Sequence, residues 1–134
     1  MIKVAMTGVY VDDVERAHAF YTEVLGFETR LHVDLGEGAL FVTVGAPDGA
    51  QPDVQLLLEP GGGPIAEPYR AALYEAGLPC IVFAVDDLFA EYERLRGLGG
   101  GFPHPPTLPG PLLGAVQVVT GGKKIQLNQP IPRR

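Results

Sequence analysis

Residues 11–14 read Val11-Asp12-Asp13-Val14, and residues 85–88 read Val85-Asp86-Asp87-Leu88, an offset of 74 residues. Each copy follows a stretch rich in β-branched and aromatic residues, which predicts a strand. Each also precedes apolar residues at helical spacing. Aspartate at such a junction is a preferred helix N-cap, and Glu15 lies three residues after Asp12, as in a capping box. Both copies therefore predict a strand that leads directly into a helix.

The repetition extends through the rest of each half. Leu25-Gly26 recurs as Leu98-Gly99, and Val54-Gln55-Leu56 recurs as Ile125-Gln126-Leu127, at offsets of 73 and 71 residues. Because strand exit, helix end and last strand recur in the same order, we infer an internal duplication. A lone half with one helix would leave one face of its sheet bare, so we expect the halves to pair and enclose a cleft.

The remaining elements follow from hydrophobic pattern and turn residues. Strands are expected at 4–11, 27–33, 40–44, 54–59, 81–85, 115–119 and 124–128. Helices are expected from Val14 to Leu25, from Ile65 to Ala76, and after Asp87 with Leu88, Tyr92, Leu95 and Leu98 buried, followed by a Pro-rich loop at 103–111. The predicted fold is α+β: two tandem βαβββ modules forming a cupped mixed sheet around a cleft. The prediction is one domain, with module one at 1–60, a linker at 61–78 and module two at 79–134.

Composition and charge exclude several classes of protein. The 134 residues are 46% hydrophobic and 19% charged, which is a globular balance. No apolar run approaches the roughly 20 residues that cross a bilayer. A net charge of −6 with scattered basic residues argues against nucleic acid as a partner. The sequence shows no signal-peptide pattern, and the single cysteine, Cys80, cannot form an intrachain disulfide, so we expect a cytoplasmic protein without a membrane partner.

The chain resembles the vicinal oxygen chelate superfamily, the glyoxalase/bleomycin-resistance/dioxygenase family. The resemblance spans nearly the whole chain and is carried by Val9-Tyr10-Val11-Asp12-Asp13-Val14-Glu15-Arg16-Ala17, Phe20-Tyr21, Leu25-Gly26-Phe27, Phe83-Ala84-Val85-Asp86-Asp87, Leu98-Gly99 and Ile125-Gln126-Leu127. It implies the fold more specifically than the function, because this fold hosts very different activities.

The resemblance also implies where a metal would bind. Catalytic members place His, Glu or Gln on the first and last strand of each module, and the matching positions here are Met6, Gln55, Cys80 and Gln126. A thioether, a thiol and two neutral amides are poor ligands for a hard or borderline metal ion. We therefore expect no metal and no cofactor at these four positions.

Strand alternation gives an independent prediction of the cleft lining. If Val9, Val11, Phe83 and Val85 face the helices, the opposite faces form a mostly apolar floor with a few amides and a phenol, which suits a flat or amphipathic ligand. Tyr10 can stack on such a ligand or donate a hydrogen bond. His104 lies in a Pro-rich loop that we expect near the cleft mouth. The predicted ligand-binding residues are Met6, Tyr10, Gln55, Leu57, Cys80, His104, Gln126 and Asn128.

Alternative roles remain open for several of these residues. Cys80 is either a nucleophile or soft-metal ligand, or a buried small apolar residue. Gln55 and Gln126 either bind a ligand or satisfy one another. His18 is expected to be exposed, and His32 is either exposed or directed into the cleft. The spacing of the three histidines, at 18, 32 and 104, predicts no metal cluster.

Two functional classes remain. The first is a metal-free binding protein, similar to bleomycin-resistance proteins, that sequesters an antibiotic or a metabolite. The second is a lyase, isomerase or dioxygenase with unconventional metal ligands or acid–base residues such as Glu59. The missing metal donors favour the first class. Family resemblance and the commonness of twofold assemblies also predict a homodimer.

Overall fold

The computed structural model describes residues 1–98, 101–102, 104–110, 113–120 and 123–130. The chain divides into two compact units, Met1–Glu67 and Pro68–Arg134. Three sequence predictions touch positions outside the described residues, namely the helix end at Gly99 and the loop boundaries at Pro103 and Pro111. Among the described residues, no helix is long and apolar enough to span a membrane.

The first unit is a βαβββ module. Its elements are β1 (Met6–Val11), α1 (Val14–Ala19) continuing as a π-helical turn (Phe20–Val24), β2 (Glu28–Gly36), β3 (Ala39–Gly45) and β4 (Gln55–Pro60). The strand order is β1-β4-β3-β2, with β1 parallel to β4 and the other pairs antiparallel. The helix α2 (Ala66–Glu75) begins at the boundary of the two units.

The helix α1 begins at Asp13, whose side chain accepts a hydrogen bond from the Arg16 backbone N–H at 2.9 Å. The expected capping box at Asp12 is therefore wrong by one residue, and Glu15 bonds His32 instead. The chain turns into β2 through Gly26, whose φ of +85° is a conformation that favours glycine. Ala17 and Tyr21 are the buried residues of this helical segment.

The core of the first module lies between α1 and one face of its sheet. The helix packs on β3 and β4. Side chains at alternate strand positions are buried there, namely Val9, Val11, Val42, Val44, Leu56 and Leu58. Burying one such side chain contributes about 1.5–3 kcal/mol, so the alternating pattern fixes which face the helix covers. We call this the helix face, and we call the opposite face, which carries Met6, Gly8, Tyr10, Gln55, Leu57 and Glu59, the far face.

The second unit repeats the topology. Its elements are β5 (Ile81–Ala84), α3 (Leu88–Gly97), β6 (Thr107–Gly110), β7 (Leu113–Thr120) and β8 (Lys123–Pro130), and its strand order is β5-β8-β7-β6. Asp87 is the N-cap of α3, as Asp13 is of α1. Leu88, Leu95, Ile125 and Leu127 are buried. The predicted α+β fold of two βαβββ modules is confirmed.

Two predictions for the second module are wrong. The Pro-rich segment contains the strand β6, which lies at the edge of the sheet, where a proline costs no ladder hydrogen bond on the solvent side. Leu98 is 59% exposed rather than buried, because α3 ends at Gly97 and Leu98 is its C-cap.

Candidate functional site

The register of β1 and β4 brings four predicted site residues onto the far face of the first module. Met6 lies opposite Gln55, Gly8 opposite Leu57, and Tyr10 opposite Glu59. Tyr10, Gln55 and Leu57 are half-buried, and Met6 is 41% exposed. These residues therefore present a thioether, a phenol, an amide and an isobutyl group on one surface.

Gln55 is oriented by a buried threonine. The Thr43 hydroxyl donates a 2.7 Å hydrogen bond to Gln55 Oε1, and Thr43 has no exposed surface. Because this bond engages the amide oxygen, the orientation of the Gln55 side chain is fixed by β3.

Glu59 places a carboxylate on the same face. A side chain at position 8 would collide with Glu59 Oε2 and would lie 3.0 Å from Glu59 Cδ, so the carboxylate occupies space that glycine leaves open. A carboxylate therefore lies on the same face as the thioether of Met6 and the phenol of Tyr10.

In the second module the corresponding residues also lie on or just before the first and last strands, but they are paired in a different register. Cys80 precedes β5, and its backbone N–H donates to the Lys124 carbonyl at 2.8 Å. Gln126 lies opposite Val82 and Asn128 opposite Ala84. Gln126 Nε2 donates to Asn128 Oδ1 at 2.8 Å, so this amide pair forms one polar unit on β8.

The Cys80 thiol is not an activated nucleophile. Burial raises its pKa, and the positive charge of Lys123 only partly opposes that shift. Because the thiolate is the reactive form, a raised pKa lowers reactivity at neutral pH. The side chain is half-buried, which agrees with the interpretation of Cys80 as a small apolar residue.

His104 is exposed and lies just before β6. Its proximity to a ligand stays a prediction. Gln55 and Gln126 each find a hydrogen-bond partner within their own module, Thr43 and Asn128 respectively.

The four positions at which the resemblance implies metal ligands lack the donors of a metal site. They supply a thioether, two neutral amides and a thiol whose pKa is raised. A divalent metal in a catalytic site is held by imidazole, carboxylate or thiolate groups. The residues Met6, Gln55, Cys80 and Gln126 do not fit such an ion.

The structure brings together three residues that the sequence patterns treat separately. Glu15, His18 and His32 each offer one ligand atom, and these atoms all lie within 4.8 Å of one another. His18 is half-buried rather than exposed, and its Nε2 lies 2.7 Å from Thr29 Oγ1. Histidine spacing alone predicted no metal cluster, and it gave no sign of this grouping of candidate ligand atoms. The i,i+3 spacing of Glu15 and His18 on a helix was the signal available in the sequence.

His32 lies on the helix face and not with Met6. His32 pairs with Val42, Val42 with Leu58, and Leu58 with Val9, which is one row across the sheet. A register shift between Thr29 and Leu31 places Thr29 and His32 on the same side of β2. His32 therefore lies on the opposite face of the sheet from Met6, Tyr10 and Gln55.

Comparisons with known proteins agree with this architecture. YurT of Bacillus subtilis (strain 168) is 38% identical over 128 residues, which cover 96% of this chain and 99% of YurT. The crystal structure of UcmS2 matches with a TM-score of 0.78 and 30% identity over 96% of this chain and 98% of UcmS2. TnmS3, an antibiotic binding protein from Streptomyces sp. CB03234, matches with a TM-score of 0.73 and 28% identity over 97% of each chain.

The sequence also matches a family description over most of its length. Residues 3–117 match the Glyoxalase/Bleomycin resistance protein/Dioxygenase superfamily, and the matched range includes the first module and much of the second. The chain therefore belongs to the Glyoxalase/Bleomycin resistance protein/Dioxygenase superfamily.

Proposed function

We propose that this chain is a metal-free binding protein that sequesters a small organic molecule, an antibiotic or a metabolite, in an apolar cleft. The observation that carries the proposal is the donor set at Met6, Gln55, Cys80 and Gln126, which cannot hold a catalytic divalent ion. The similarity to TnmS3, an antibiotic binding protein, supports the same class of ligand. The proposed location is cytoplasmic.

Each module supplies its own set of proposed ligand contacts. In the first, Tyr10 provides an aromatic surface on the far face, which also carries Met6 and Leu57. In the second, Gln126 and Asn128 provide a hydrogen-bonded amide pair, with Cys80 and His104 as further contacts. Affinity then comes mainly from buried apolar area and stacking, while the amides set the ligand's orientation.

A homodimer is part of the proposal. The edge strand β2 exposes Leu31, Val33 and Leu35 at 42%, 41% and 64%. By register, Leu31 lies opposite Thr43 and Val33 opposite Phe41, so both extend the far face to the edge of the sheet. A long exposed apolar edge strand is usually covered in a native assembly, and a second copy of the chain is the covering surface we propose.

The position of the Glu59 carboxylate favours a second candidate function, catalysis. A carboxylate on the far face beside Tyr10 can act as a general acid or base. The chain would then be a lyase, isomerase or dioxygenase of the family that relies on Glu59 or on a metal held by other ligands. Activity abolished by Glu59→Gln, with ligand affinity kept, would select this candidate.

The binding proposal is tested by calorimetry on compounds found in a thermal-shift screen. The screen uses aromatic natural-product antibiotics, including metal-free bleomycin. Tyr10→Ala is expected to weaken binding of a hit by about 1–3 kcal/mol, the usual range for loss of a stacked aromatic contact. Tyr69→Ala is the matched control, because Tyr69 lies on α2 with 55% of its surface exposed. Equal losses in the two variants would contradict the proposed site.

A further inference from the structure

We propose that Glu15, His18 and His32 form a binding site for a divalent transition metal of the zinc class, on the helix face of the first module. One ligand atom from each residue lies within 4.8 Å of the other two. Two imidazoles and one carboxylate are ligands that suit Zn²⁺ and its first-row neighbours. The site is separate from the family's metal positions, because Met6 and Gln55 lie on the far face.

A helix, α1, and a strand, β2, supply the ligands. Glu15 and His18 are three residues apart on α1, so they project from the same side of the helix. His32 projects from the edge strand β2 toward that helix. A metal held by all three residues would join the helix to the free edge of the sheet.

Existing contacts already hold the ligand atoms near one another. His32 Nε2 lies 2.8 Å from Glu15 Oε1, a hydrogen-bond distance that must widen by about 0.6 Å when both atoms bind one tetrahedral zinc ion. The rings of His18 and His32 have their centroids 5.3 Å apart. With bonds of about 2.0–2.2 Å, ligands on a tetrahedral zinc lie about 3.4 Å apart, so the widest gap, which is within 4.8 Å, must close by at most about 1.4 Å.

The required movement is available to these side chains. The side chains of His32 and Glu15 are 39% and 59% exposed, so small rotations meet little packing resistance. When the metal binds, the proton of neutral His32 resides on Nδ1 and leaves Nε2 to the ion. Three protein ligands leave a coordination position for water, which makes this an exchangeable surface site. The chain's net charge of −6 adds to the attraction for a cation.

The ligand chemistry also predicts selectivity. Imidazole nitrogens favour zinc, nickel and copper over magnesium and calcium, which prefer oxygen ligands. Copper is expected to bind more tightly than zinc, and magnesium is not expected to compete. Acid pH weakens binding, because a metal needs an unprotonated imidazole nitrogen.

Calorimetric titration of the chelator-treated full chain with ZnCl₂ tests the site. We expect one zinc ion per chain, with the affinity reduced at least about tenfold in each of Glu15→Gln, His18→Ala and His32→Ala. His104→Ala and Cys80→Ser are the controls, since they remove another histidine and the sole cysteine outside the cluster. Thermal melts without metal establish that each variant is folded.

The thermal melts give a second measurement. Zinc should raise the melting temperature of the wild type and of both controls, but not that of His32→Ala, because binding to the folded state alone stabilises it. No zinc binding by the wild type, or undiminished binding by His18→Ala and His32→Ala, would overturn the proposal. Because the cluster lies on the helix face, the outcome of the zinc titration does not depend on whether an organic ligand binds at the far face.

Discussion

The Glu59 carboxylate lies where a side chain of residue 8 would be, above the backbone of Gly8 on the neighbouring strand. The two residues are part of the same parallel pair, β1 and β4, and both belong to the far face. Glycine at position 8 therefore lets a charged group lie against the sheet, within the surface proposed to bind a ligand.

Gly8→Ala is expected to displace the Glu59 carboxylate. The methyl group meets the flexible end of the side chain, so the free energy of unfolding should fall by no more than about 1 kcal/mol. The same substitution in a Glu59→Ala background should be neutral or stabilising, because alanine forms strands better than glycine. Urea unfolding of the four proteins in this double-mutant cycle measures the coupling. Equal effects of Gly8→Ala in both backgrounds would contradict the contact.

Thr43→Val should lower the free energy of unfolding by about 0.5–1.5 kcal/mol, the net value of a typical hydrogen bond. Valine keeps the shape of the buried threonine but leaves Gln55 Oε1 without its 2.7 Å donor. Thr43→Ser keeps the hydroxyl and should retain the orientation of the Gln55 amide. Thr7→Val, at an exposed position on β1, is the control. Denaturant titration gives the stabilities, and a loss no larger for Thr43→Val than for Thr7→Val would argue against the bond.

The Cys80 thiol should be alkylated more slowly in the native protein than in the urea-unfolded chain at about pH 8. Burial raises its pKa in the fold, with Lys123 opposing only in part, so the folded state holds less thiolate. For the same reason the free energy of unfolding should decline as pH rises from the ordinary thiol range towards the raised value, and Cys80→Ser should remove that decline. Iodoacetamide kinetics followed by mass spectrometry supply the measurement. If Cys80 were alkylated as fast in the native protein as in the unfolded chain, the interpretation of Cys80 as a nucleophile would be supported instead.

The chain should be a dimer at micromolar concentration, as measured by light scattering after size exclusion. Val33→Lys is expected to shift it towards monomer, because it places a charge on the apolar edge of β2. Leu78→Lys, at a residue 52% exposed in the second unit, is the matched control. A wild-type monomer, or equal dissociation by both substitutions, would show that this edge is not the interface.

The sequence predicted the architecture because its signals are local. Asp13 and Asp87 both act as N-caps. Buried positions such as Val9 and Leu58 alternate with less buried positions along their strands. Local signals also led to errors. The strand β6 contains proline, which argues against a strand except at a sheet edge, and edge position is a property of the whole sheet.

The complete Glu15–His18–His32 cluster could not be predicted for a similar reason, because the spacing of Glu15 and His18 signals only two of its three residues. Its formation depends on the register shift after Thr29, which turns His32 towards α1, and periodicity alone does not show a bulge. On the far face, strand alternation predicted that Met6 and Gln55 lie on one surface. Their direct pairing could be read only from the register, because in the second module Gln126 pairs with Val82 and not with Cys80. The contact of Glu59 with Gly8 required the parallel register of β1 and β4.

The most direct test of the central claim is the dissociation constant of the tightest-binding compound from the screen, measured by calorimetry before and after EDTA treatment of the protein. The proposal of metal-free sequestration predicts the same value in both conditions, because no ligand contact on the far face passes through a metal ion. Binding that is abolished by EDTA and restored by adding a divalent metal would contradict it and would favour the metal-dependent enzyme.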